Sequence, residues 1–119
     1  MKKILIVDDE PNIIMSLEYI FKKNNFEVFI ARDGQEALDI LKDQIPEIII
    51  LDVMMPNVDG FETIKKIKSN ENWQHCKVIF LSAKNKQTDI QKGLDLGASA
   101  YMTKPFSLKK LVEKVNELV

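Results

Sequence analysis

The chain has 119 residues, of which 45% are hydrophobic and 29% charged, enough for one domain that buries its own core without staples. Seventeen basic residues against 18 acidic ones leave a net charge of -1, without the basic excess of a dedicated nucleic-acid binder. The single cysteine, Cys76, excludes an internal disulfide, and no apolar run approaches the roughly 20 residues that span a bilayer, so the expectation is a soluble, cytoplasmic domain covering residues 1–119.

In chain order, Ile4-Leu5-Ile6-Val7 is the first strand, apolar on both faces. Pro11 suits a first helical turn, and Ile13, Ile14, Leu17, Ile20 and Phe21 follow at helical spacing. A weaker strand runs from Phe26 to Ile30. Asp33-Gly34 signals a turn, and Ala37, Leu38 and Leu41 form a second helical stripe. Ile48 to Leu51 is the next strand. Asp59-Gly60 opens a third helix with Phe61, Ile64 and Ile67 inward, and residues 78–81 are again strand. Ile90, Leu94 and Ala98 outline a fourth helical stripe ending near Gly97, followed by a weaker strand over 98–102. Ser107 is the expected N-cap of the last helix, whose stripe is Leu108, Leu111, Val112, Val115, Leu118 and Val119. Strand–helix alternation, five times over, predicts an α/β domain with a doubly wound parallel sheet and helices on both faces.

In such sheets ligands sit beyond the carboxyl ends of the strands. The first strand runs into Asp8-Asp9 and the third into Asp52. Three carboxylates gathered there repel one another unless a cation joins them, and an all-oxygen set suits a hard ion such as Mg²⁺, which often completes its shell with phosphate oxygens. The fourth strand delivers the hydroxyl of Ser82 to the same rim, and the fifth the ammonium of Lys104.

These residues, with Asp52-Val53-Met54-Met55-Pro56-Asn57-Val58-Asp59-Gly60, Ser82-Ala83 and Lys104-Pro105-Phe106 in order, resemble the receiver domain of bacterial two-component response regulators along the whole chain. The resemblance implies a flavodoxin-like five-stranded sheet of order 2-1-3-4-5. It implies that Asp52 accepts a phosphoryl group, a role for which a carboxylate is already ionised. Asp9 and Asp52 would be direct Mg²⁺ ligands, Asp8 one acting largely through water, and the Met54 backbone carbonyl a further one. Lys104 would pair first with the carboxylates and then with the phosphoryl group, and Ser82 would donate to it. Tyr101 would be the aromatic that turns inward on activation, and the Lys104-Pro105 peptide would be cis. The donor would be a histidine kinase or a histidine phosphotransfer protein. The output protein or domain would engage residues 86–119, with the chain a monomer or weak homodimer. Such a domain is no turnover enzyme; it catalyses its own phosphorylation and slow dephosphorylation. Ser82 stands where threonine is also common, and Met54 and Lys84 fall at places that tune acyl-phosphate lifetime.

Several residues read more simply. Glu10 is expected as an exposed charge, His75 as a polar loop residue, Cys76 as a small buried side chain and Trp73 as a loop anchor. Met55-Pro56 shapes a loop, and Gly60 is expected to permit an awkward backbone. A flavin or dinucleotide protein of the same architecture would need a Gly- or Ser-rich phosphate loop after the first strand, where Asp8-Asp9-Glu10-Pro11 stands instead. An aspartyl-phosphate phosphatase would want an acid two places after the nucleophile, where Met54 lies. The remaining alternative is a phosphorylation-independent interaction domain of the same fold.

Overall fold

A computed structural model describes residues 1–119. Ten elements alternate along the chain: β1 (Lys2–Val7), α1 (Pro11–Lys23), β2 (Phe26–Ala31), α2 (Gly34–Leu41), β3 (Ile48–Leu51), α3 (Gly60–Lys68), β4 (Lys77–Ser82), α4 (Gln87–Asp95), β5 (Ala100–Thr103) and α5 (Leu108–Leu118). The strands form one parallel sheet in the order β2-β1-β3-β4-β5, the flavodoxin-like arrangement expected.

Side chains alternate across a strand, so each central strand feeds two cores. Ile4, Ile6, Ile48, Ile50, Ile79 and Leu81 meet Leu17 and Phe21 of α1 and Leu111 and Val115 of α5 on one face. Leu5, Val7, Ile49, Leu51, Val78 and Phe80 meet Leu38 and Leu41 of α2 and Ile64 and Ile67 of α3 on the other. Burial on both faces explains why β1, β3 and β4 read as continuous apolar runs.

Helix starts follow local chemistry. The side chains of Asp33, Asp59 and Ser107 accept from the backbone N–H groups of Glu36, Glu62 and Lys110, at 2.9, 2.9 and 3.2 Å. Pro11 opens α1 without a side-chain cap. Helix α4 also lacks one, and Gly93 is its only fully buried residue.

That helix corrects the expected stripe. Leu94 is 38% exposed, and Ala98 lies beyond the helix end. The contact is made by Gly93, where a Cβ would stand 2.9 Å from ring carbons of both Phe80 and Tyr101. A residue without a side chain carries no hydrophobic signal, so periodicity misplaces the inward face. Gly60 differs too. Its backbone is not left-handed; instead a Cβ there would meet the Asp52 carbonyl oxygen at 2.2 Å and Val53 Cα at 2.7 Å. Close approach, not an unusual dihedral, demands glycine at that position.

Candidate functional site

Strand register assembles the site. Val7 pairs with Leu51, so the next residues, Asp8 and Asp52, emerge side by side. Backbone bonds extend past the strand ends: Asp8 N–H donates to Ala31 O at 3.1 Å and Asp52 N–H to Val7 O at 3.0 Å. Ser82 pairs with Thr103, and Lys104 N–H donates to Ser82 O at 2.8 Å, aiming the Lys104 side chain back across the sheet edge.

The Lys104 ammonium lies among three carboxylates, 2.9 Å from Asp8 Oδ2, 3.1 Å from Glu10 Oε1 and 3.3 Å from Asp52 Oδ2. Asp8 and Asp52 are 2% and 3% exposed, so this is a near-dry cluster at the base and a wet one at Glu10. Burial raises the Asp8 carboxyl above its ordinary value, although the Glu10 amide at 2.9 Å and Lys104 oppose the shift. For Lys104, burial pulls the ammonium down. Its bond to Asp8 and the nearby Asp52 charge outweigh that pull and hold it above the usual lysine value. The cluster therefore keeps one firmly protonated lysine against three acids.

Carboxylate oxygens of Asp8, Glu10 and Asp52 all lie within 4.8 Å of one another, an acidic cluster whose donors fit a hard cation. Asp9, expected as a direct ligand, lies outside this group. Its side chain is exposed and lines an adjoining depression of about 570 Å³ with Met54, Phe61, Lys84 and Lys92. Glu10, expected as a bystander, enters because it lies two residues after Asp8, at the cap of α1, within reach of Lys104. The acidic run gave that signal, but which of its members turns inward depends on the lysine from the far end of the chain.

Other expected residues surround the cluster. The Ser82 hydroxyl is fully buried and accepts from Lys84 N–H at 3.2 Å. Met54 N–H donates to Asp52 Oδ1 at 3.3 Å, turning the loop after β3 back over the carboxylate. Tyr101 packs on Phe80, ring centroids 5.6 Å apart, and its hydroxyl donates to Lys84 O at 2.7 Å. The Lys104-Pro105 peptide is cis. Cys76 is buried just before β4, Trp73 packs against the core in the loop after α3, and His75 is exposed with no metal-binding partners.

Sheet order, acidic crevice and opposed lysine are those of the receiver family that the sequence resembles. A family model described as "response regulator receiver domain" matches residues 4–116, and the chain belongs to that family. Solved structures agree. The receiver domain of the Francisella response regulator 1452 is 33% identical, with a TM-score of 0.92 over 99% of this chain and 96% of that one. The Vibrio cholerae chemotaxis protein CheY4 is 28% identical, with a TM-score of 0.93 over 100% and 99%. The receiver domain of a signal transduction histidine kinase from Syntrophus aciditrophicus is 30% identical, with a TM-score of 0.91 over 99% and 89%. Such domains act in two-component signalling and are not classical enzymes. No helix of this chain is long and apolar enough to cross a membrane.

Proposed function

We propose that Asp52 accepts a phosphoryl group from a phosphohistidine on a histidine kinase or histidine phosphotransfer protein, in a reaction that requires Mg²⁺. The observation that carries this reading is the buried Asp52 carboxylate, 3.3 Å from a lysine that two further acids hold in place. An Asp52 oxygen bonds to phosphorus as the phosphorus–nitrogen bond of the donor breaks, and the departing imidazole takes up a proton. Phosphoryl transfer has a loose transition state, so the site's task is positioning and charge neutralisation.

Asp8, Asp9, Asp52 and the Met54 carbonyl would hold the cation. When bound, Mg²⁺ offsets the negative charge of the carboxylates and of the incoming phosphoryl oxygens. Lys104 then exchanges part of its carboxylate contact for the phosphoryl group, which its flexible stem permits. Ser82 turns its hydroxyl from accepting the Lys84 amide to donating toward phosphate. Tyr101, bonded to the carbonyl of the same Lys84, senses that rearrangement and passes it to the face of α4, β5 and α5. Through that face, residues 86–119, the domain engages an output protein or attached domain as a monomer or weak homodimer. Water later attacks the acyl phosphate, regenerating Asp52 and releasing phosphate. Residues 1–119 act as one cytoplasmic receiver domain.

Intact mass after incubation with acetyl phosphate, with and without Mg²⁺, tests the reading. The expected outcome is a labile, Mg²⁺-dependent phosphoryl adduct on the native chain and none on Asp52→Asn. A folded native chain that binds Mg²⁺ but gains no adduct would leave a phosphorylation-independent interaction domain.

A further inference from the structure

The loop between β3 and α3 carries Met54, and its outer side is fastened to the start of α2. The carboxamide of Asn57 donates to Asp33 Oδ2 at 3.1 Å, across 24 residues of sequence. The other oxygen of Asp33 caps α2, accepting from Glu36 N–H at 2.9 Å. One carboxylate thus serves a helix start and a loop simultaneously. Both bonds draw the Asp33 carboxyl below its ordinary value, the helix amide first and Asn57 next.

Neighbouring contacts make the fastening stiff. Asn57 is left-handed, φ 66°, a conformation that asparagine adopts far more readily than most residues. At Gly34 a Cβ would lie 2.6 Å from the Val58 carbonyl oxygen and 2.2 Å from Thr63 Oγ1, so the start of α2 is pressed against the same loop and the first turn of α3. At the inner end Gly60 N–H donates to Val53 O at 2.9 Å. Between these fixed points only Met54, Met55 and Pro56 remain, and the proline ring locks its own φ. A span this short leaves the Met54 peptide little freedom relative to Asp52.

We propose that Asn57 is a positioning residue for the cation site: its bond to Asp33 holds the loop that presents the Met54 carbonyl and thereby sets the affinity for Mg²⁺. The inference rests on the reading of that carbonyl as a ligand given above. Residues that orient metal ligands commonly change affinity about 10- to 100-fold when lost, and Asn57 acts one step further out, so about 3- to 10-fold is expected.

The test titrates MgCl₂ into the full chain and follows backbone amide resonances of residues 52–54, with thermal midpoints recorded in parallel. Asn57→Gly keeps the left-handed backbone and loses the amide; it should bind Mg²⁺ about 3- to 10-fold more weakly. Asn57→Asp opposes two carboxylates and should bind no better than the glycine variant. The exchanged pair Asp33→Asn with Asn57→Asp restores a donor and an acceptor at unchanged net charge, and should return to within about twofold of the native affinity, since it rebuilds the same single hydrogen bond. Native affinity in both single variants overturns the proposal, whether or not their midpoints fall. So does an exchanged pair as weak as Asn57→Asp alone. If the native chain itself shows no Mg²⁺-dependent shift, the reading of the site fails and the proposal with it, an outcome distinct from variants that match a binding native chain.

Discussion

Replacing Asp8 by asparagine removes a buried negative charge and keeps an oxygen to accept from the Glu10 amide. Burial raises the Asp8 carboxyl in the folded state above its ordinary value of 3.8. The folded state therefore holds this proton more firmly than the unfolded one. The resulting stabilisation is complete below about pH 3.8 and is lost as the pH rises through the folded-state value. At pH 7 the ionised carboxylate is a liability that Lys104 only partly offsets. Asp8→Asn should thus stabilise the domain at pH 7 while weakening Mg²⁺ binding. Calorimetric unfolding at pH 7 and pH 4 checks this; the gain should shrink at the lower pH. A site that gains stability on losing a charge is one in which geometry has been kept for binding.

At the scale of elements, the start of α3 bears directly on Asp52. A methyl group at Gly60 would meet the Asp52 carbonyl oxygen and Val53 Cα, both backbone atoms that have no rotamer to yield. Gly60→Ala should cost about 3 kcal/mol, the upper end for overpacking, and displace Asp52 from Lys104. Urea denaturation would show the loss, and slower adduct formation from acetyl phosphate would show the displacement. The elements were also where the sequence was most and least legible. β1, β3 and β4, buried on both faces, announce themselves as apolar runs. α4 does not, because its contact with Phe80 and Tyr101 is made by a glycine. Asp59 was legible as a helix start, whereas Asp33, read as a turn, proves to cap α2, and the bond from Asn57 to Asp33 spans two loops, so nothing local in either loop encodes it.

For the whole molecule, the crevice was readable as a set of residue types but not as an arrangement. Asp52, Ser82 and Lys104 follow from which strands end where. The inward turn of Glu10 and the outward place of Asp9 depend on how one side chain crosses the finished sheet edge, which no local pattern carries. Lys104 joins Asp8 over 96 residues of sequence. Lys104→Met would leave Asp8 and Asp52 buried without their cation. The expected loss is about 2–3 kcal/mol at pH 7, below the 3–5 of a fully enclosed pair because Glu10 is open to water. The folded-state lysine value lies above the ordinary 10.5, so its contribution is whole below that pH and disappears as the pH rises through the folded-state value. Denaturation curves of native and variant chains should therefore converge in strong alkali.

The same long reach has a consequence during synthesis. A chain emerging from the ribosome makes Asp8, Asp52 and four of the five strands well before residue 104 exists. Until then the carboxylates have no ammonium between them and repel one another, and the growing sheet lacks the strand that aims it. The crevice in which Lys104 meets Asp8 and Asp52 therefore forms only after the last strand has been made, and a ribosome-stalled chain that ends before it carries uncompensated carboxylates at the sheet edge.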